Sequence, residues 1–416
     1  MKKKFLPLQF WSTCCGNFFE HFDTGLFGFL SPFLAPLFFP THDPLTALIL
    51  TYAMIPLCML ARPFGSLFFG YIGDVYGRRD ALFLTLFCMG ALSLCIAISP
   101  TYQSIGVLAP LLFCFWRFGQ NFFAAGEVMG GAIFLLETIE TDKKDLMSSL
   151  YSASTVGGIL LASFGVYGIS FLNMTENGWR ILYVFGAITA LFGCLLRINI
   201  PKETPIKTPS FSIKKIISMI WEQKKNLFLL SIIAGFFYAN FSVSMVLING
   251  FIPLVTSFTK SQMSQLNTFL LVLDFATLPL FGYLAMKISR EKLMMGAALC
   301  ILVSAIPLFS LLKYATLPGV IFIRITFVIL GVAFAAPFHA YAQNVVPKSH
   351  RYLIISLSYA LGSQLLGGPA AMISLWTFKQ THLISSVAWY WIILAFAALL
   401  SLISIQIKQT QLKKAS

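Results

Sequence analysis

The sequence predicts an all-α integral membrane protein of twelve transmembrane helices arranged as two six-helix bundles. Three observations carry that expectation: an apolar composition, a series of long apolar runs, and a repeat relating the two halves. Of 416 residues, 58% are hydrophobic and only 11% are charged, with 42 phenylalanines. Soluble domains carry about 25% charged residues, so a water-soluble enzyme, a disordered scaffold and a secreted disulfide domain are all excluded. Lipid, unlike a soluble core, can surround that much apolar surface.

Twelve runs follow one another, at about 9–38, 45–72, 80–99, 105–136, 146–172, 179–199, 226–256, 262–286, 293–312, 317–345, 352–376 and 384–406. Several exceed the ~20 residues that cross a bilayer, which predicts tilt or extension beyond it. Prolines such as Pro32, Pro36, Pro63 and Pro110 fall within runs, where membrane helices tolerate them as kinks. The net charge of +14 does not form a nucleic-acid patch, because the bases sit at the ends of runs. Sorted by side, 22 lie with the chain ends and four (Arg180, Lys260, Lys313, Lys379) lie opposite. Both termini are therefore expected in the cytoplasm, and an even number of spans satisfies this. The Met1-Lys-Lys-Lys start leads into a run too long and too polar for a cleavable signal. All eight cysteines lie inside runs without metal-ligand spacing and read as small core residues.

The longest polar stretch divides the chain into 1–200, a cytoplasmic linker 201–225, and 226–416. It opens with Pro201-Lys-Glu-Thr-Pro205, and Ile213, Ile216, Ile217 and Ile220 then recur at helical spacing between lysines. That pattern fits an amphipathic helix on the membrane surface or an ordinary linker. Phe69-Gly70-Tyr71-Ile72 in the second run matches Phe281-Gly282-Tyr283-Leu284 in the eighth. Duplicated halves with a site between them are the architecture of secondary transporters.

Ionisable groups inside spans are costly and mark a pathway by default. Here they are Glu20, Asp23, Arg62, Arg117, Glu127, Asp274 and Arg324, joined by His21 and His339. Glu127 is the favoured proton carrier, because it sits too far from either helix end to reach the interface. Its alternative is a permanently paired ion. Glu20 and Asp23 share a helix face three residues apart and are read as proton-coupling groups or as an ion pair near the helix start. Arg62 and Arg117 offer planar forks for a substrate carboxylate, or neutralise acids of the same half. Asp274 and Arg324 are read as pathway groups or as a cross-helix pair. His21 and His339 are substrate-contact candidates, or satisfied core histidines. Trp116 and Tyr238 are candidate cage members for a quaternary ammonium.

Between the second and third runs, Gly70-Tyr-Ile-Gly73-Asp74-Val-Tyr-Gly77-Arg78-Arg79 combines turn-forming glycines with charges able to bridge neighbouring helices. This loop resembles the signature of the major facilitator superfamily. The resemblance implies a structural gate latch at Gly70, Asp74, Gly77, Arg78 and Arg79. Met286 stands where a second-half Asp would be, which implies a weaker latch there. Gly16-Asn17-Phe-Phe-Glu20-His-Phe-Asp23, Arg62-Pro63-Phe-Gly65, Gln120-Asn-Phe-Phe-Ala-Ala-Gly126-Glu127, Gly178-Trp179-Arg180 and Pro347-Lys-Ser-His-Arg351-Tyr352 resemble the metabolite:proton symporter family, best known for proline/betaine transporters. That resemblance implies a proton symporter importing a proline/betaine-type zwitterion, working as a monomer in the bacterial inner membrane. Two alternatives stay open: symport of an organic acid such as 2-oxoglutarate or citrate, and a non-transporting sensor on the same scaffold. No enzyme motif is present, and no cofactor, metal or nucleic-acid partner is expected; lipid, substrate and proton are.

Overall fold

The computed structural model describes residues 8–40, 43–76, 78–125, 131–133, 135–136, 143–172, 174, 177–198, 213–314, 316–347 and 351–415. These residues are nearly all helical. In the first half, α1 spans Leu8–Phe38, α2 Pro44–Met59, α3 Ala61–Tyr76, α4 Arg78–Ala97, α5 Leu108–Ala124, α6 Lys144–Phe171 and α7 Gly178–Ile198. A short α8 covers Ile213–Glu222, so the linker isoleucines do belong to a helix. The second half contains α9 (Lys224–Phe241), α10 (Ile248–Val255), α11 (Lys260–Ile288), α12 (Arg290–Leu311), α13 (Leu317–Ala335), α14 (Phe338–Val345), α15 (Arg351–Leu361), α16 (Ala370–Thr381) and α17 (Trp389–Ala415). Nine candidate spans among the described residues are long and apolar enough to cross a membrane. Helices suit that role because each satisfies its own backbone groups where no water is present.

Two predicted runs prove to be broken helices, and a third ends later than expected. The run 45–72 divides at Leu60, between α2 and α3. Pro63 lacks the N–H that would bond the Met59 carbonyl and continue the helix. Pro337 similarly separates α13 from α14. The run 352–376 extends to Thr381, where His382 stops it in a left-handed conformation with φ 56°. Two π-helical turns interrupt long helices at mid-length, Ser242–Leu247 between α9 and α10 and Gly362–Gly367 between α15 and α16. Such turns widen a helix and re-aim its side chains, and they recur at functional sites.

Helix ends carry their own signals. Asp43 precedes α2, its carboxylate accepting from the Leu45 N–H at 3.0 Å and from the Thr46 hydroxyl. Thr259 and Gln262 form a reciprocal cap on α11, with N–H···O distances of 3.2 and 2.9 Å.

α6 runs along α1 of its own half and along α11 of the other. Small residues make this approach possible. A Cβ on Gly158 would lie 2.0 Å from the Phe18 carbonyl oxygen, and one on Gly282 would lie 2.2 Å from the Ser149 hydroxyl. Backbone cannot yield as a flexible side chain can, so Gly158→Ala is expected to cost about 1–3 kcal/mol and lower the melting temperature in detergent. Gly296→Ala, with nothing within 4 Å of the added carbon, serves as the control and should melt with the parent.

Candidate functional site

A cavity of about 160 Å³ lies between the halves, walled by α1, α2, α3, α5 and α6 on one side and by α9, α11, α13, α14 and α15 on the other. His21, Arg62, Arg117 and Asn121 line it from the first half. Tyr238, Asp274, His339 and Tyr359 line it from the second, together with polar groups of the first π turn, Ser242 and Ser244.

The best-connected group is the buried pair Asp23 and Arg117, on α1 and α5. Arg117 Nη1 stands 3.8 Å from Asp23 Oδ2. Ser93 on α4 donates to Asp23 Oδ1 at 2.7 Å, and the Gln120 amide donates to Asp23 Oδ2 at 2.6 Å. Gln120 also accepts from Arg117 Nη1 at 2.8 Å. The carboxylate is thus set behind the arginine: Arg117 lines the cavity and Asp23 does not. Phe27 covers the guanidinium, its ring centroid 4.9 Å from Cζ. One turn along α5, Asn121 accepts from Arg62 Nε at 2.9 Å and donates to the Arg117 carbonyl at 2.9 Å. Arg62 is held by this one nitrogen among the described residues, which leaves its terminal fork for other partners.

Glu20 stands 3.6 Å from His21, whose Nδ1 donates to the Asn17 carbonyl at 2.8 Å. Asp23, three residues on along the same helix face, is engaged with Ser93 on α4 and with Gln120 and Arg117 on α5. Arg324 does not meet Asp274: Asn267 accepts from its Nη2, and the Met263 carbonyl accepts from its Nη1 at 3.5 Å. His339 packs edge-on against Tyr151, with ring centroids 5.5 Å apart, and so crosses between the halves. Tyr238 lines the cavity, whereas Trp116 is not among the described lining residues and packs against Phe115. Glu127 and Gly77 lie outside the described residues, as do the side chains of Asp74, Arg78 and Arg79. Gly70 falls within α3.

Links join the halves on both faces. Where α6 and α12 begin, Arg290 Nη2 meets Asp145 Oδ2 at 3.0 Å, and Ser148 donates to the Ala336 carbonyl at 2.9 Å. On the opposite face Lys379 meets Asp43 at 3.0 Å, and Lys260 donates to the Pro32 carbonyl at 3.1 Å. The Thr46 hydroxyl and then Lys379 hold the Asp43 carboxyl below its ordinary 3.8, at about 2. A depressed carboxyl contributes stability that is complete above the unfolded value and is lost as pH falls through the folded one. The Lys379–Asp43 link is therefore insensitive to pH from about 5 to 8. The melting difference between the parent and Asp43→Asn should be equal at those two values.

Sequence reasoning did not single out Ser93, Gln120 as a carboxylate ligand, Asn121 as an arginine ligand, or Tyr359. A polar residue in a membrane helix is a signal, but it does not name its partner.

The chain matches the model of the major facilitator superfamily over residues 13–368. The proline/betaine transporter of Salmonella typhimurium is 27% identical, covering 94% of this chain and 81% of the relative. Its counterpart in Escherichia coli is 26% identical, covering 93% and 80%. A solved D-xylose-proton symporter superposes with a TM-score of 0.74 at 15% identity, covering 95% of this chain and 96% of that one. With a family match over most of its length and nine candidate spans among the described residues, packed around a central cavity, the chain belongs to the major facilitator superfamily and is a multi-pass membrane transporter, not an enzyme.

Proposed function

We propose that the chain is a proton symporter that imports a small zwitterion of the proline or betaine type across a bacterial inner membrane, with both ends in the cytoplasm. The carrying observation is the Asp23–Arg117 pair, with the base on the cavity wall and the acid behind it. The two charges neutralise each other while Asp23 is ionised. Protonation of Asp23 leaves Arg117 an uncompensated buried cation, a state that costs several kcal/mol. A substrate carboxylate entering the cavity restores the balance, and Arg117 and Arg62 offer forks to receive it. Proton and substrate thereby favour each other's binding, and the coupling is reciprocal by linkage.

The second reading, symport of a dicarboxylate, draws on two arginines facing one cavity. The curated relatives named for proline and betaine support the zwitterion, as do the aromatic rings of Phe237, Tyr238 and Tyr359 on the cavity wall, which suit a cationic end. The excess of bases on the face of the chain ends supports the orientation. Alternating access would open one face at a time, releasing the Asp145–Arg290 link or the Asp43–Lys379 link in turn. The Asp74, Arg78 and Arg79 latch is proposed to act with the former. The test is uptake by the purified chain in liposomes of betaine, proline, 2-oxoglutarate and citrate. Transport of the zwitterions supports the reading, and transport of the dicarboxylates alone replaces it.

A further inference from the structure

Acidic residues are nearly absent from the second half. Between Gln223 and Ser416 only Asp274 and Glu291 occur, and Asp274 lies mid-way along α11. Its relative exposure is 9%, so it is nine-tenths buried, and it lines the central cavity. Among the described residues its carboxylate takes part in no hydrogen bond or ion pair. The intramembrane base of this half, Arg324, is fully buried and held by Asn267 and the Met263 carbonyl. Asp274 is also the one carboxylate among the described residues that line the cavity, while both arginines there come from the opposite wall.

A carboxylate without a partner at this depth is expensive, and an apolar residue of similar size would avoid the cost. We propose that Asp274 is the specificity residue that receives the cationic end of the substrate. This rests on the cavity being the cargo site. The first half then supplies the cationic pole, through Arg62 and Arg117, and the second half the anionic pole. A molecule carrying both a carboxylate and a secondary or quaternary ammonium offers one group to each pole and draws the halves together. A dicarboxylate would set one of its charges against Asp274, and a neutral substrate would leave it uncompensated. Phe237, Tyr238 and Tyr359 line the same wall of the cavity and offer aromatic surface to the methyl groups of such a cation.

The test uses the full chain in liposomes and two competing probes of one shape, glycine betaine and 3,3-dimethylbutanoate. The second keeps the carboxylate and replaces the ammonium nitrogen by carbon. The parent is expected to prefer betaine by about tenfold or more, as removal of one partner from a buried charge pair implies. Asp274→Asn should reduce that preference to within about twofold, and Asp274→Glu should recover part of it. A readout on the parent itself does not depend on the variants folding. Carbodiimide modification of Asp274, followed by mass spectrometry, should be slowed by betaine and not by 3,3-dimethylbutanoate. If the parent transports betaine but Asp274→Asn discriminates as the parent does, or if both probes protect equally, the assignment of Asp274 is overturned while the cargo reading survives. Loss of proton-driven accumulation with discrimination intact would overturn it in favour of a proton-carrying role. A parent that transports only dicarboxylates removes the cargo reading and the assignment together.

Discussion

Asp23→Asn is expected to abolish accumulation of substrate against its gradient while leaving exchange of internal for external substrate within about threefold of the parent. The amide is close in shape to the protonated acid and still offers an oxygen to the Ser93 hydroxyl, now 2.7 Å from Asp23. It cannot release a proton, so the carrier is fixed in its loaded-like charge state. Exchange needs only that state, whereas net uptake requires the empty carrier to return. Membrane vesicles measured with and without a pH gradient separate the two. Glu127→Gln is the companion variant. If it, rather than Asp23→Asn, uncouples uptake from the gradient, the proton carrier is Glu127 and Asp23 has a structural role.

Arg117→Ala should weaken substrate binding by about 30-fold or more, because truncating one member of a buried, hydrogen-bonded charge pair costs about 2–5 kcal/mol. The same change leaves Asp23 with Ser93 and Gln120 but without the cation it neutralises, so its proton no longer bears on substrate binding through residue 117. Arg117→Ala is therefore predicted to lose both affinity and the pH dependence of what binding remains. Arg117→Lys keeps the charge but not the planar fork, and should recover pH dependence more than affinity. Equilibrium binding in detergent at about pH 6 and 8 reads both quantities. An Arg117→Ala protein that binds as tightly as the parent would remove this residue from the substrate path.

The fold was legible because membrane helices announce themselves by composition, and a few charges within long apolar runs stood out. Asp23, Arg62 and Arg117 could be read as a set for that reason. Their connectivity could not. Asp23 shares a face with Glu20 by spacing, yet its partners come from α4 and α5, on elements that no local rule brings near α1. Trp116 adjoins Arg117 in sequence, but consecutive residues on a helix point about 100° apart, so neighbours on the chain need not share a wall. Depth explains Arg324 likewise: its partner Asn267 lies seven residues from Asp274, about 10 Å along α11. The helix breaks at Leu60 and Ala336 were signalled by Pro63 and Pro337, but proline in a membrane helix kinks as readily as it breaks. The two π turns left no signal that spacing could show.

Coupling itself is measured most directly by labelled betaine uptake into liposomes containing the purified chain, with the membrane potential clamped at zero and the inside one pH unit above the outside. One proton carried with each substrate stores about 1.4 kcal/mol, so accumulation should level off about tenfold above the external concentration. A protonophore should return it to equality. Uptake that stops at equal concentrations whatever the gradient, or binding with no uptake, would contradict proton-coupled transport.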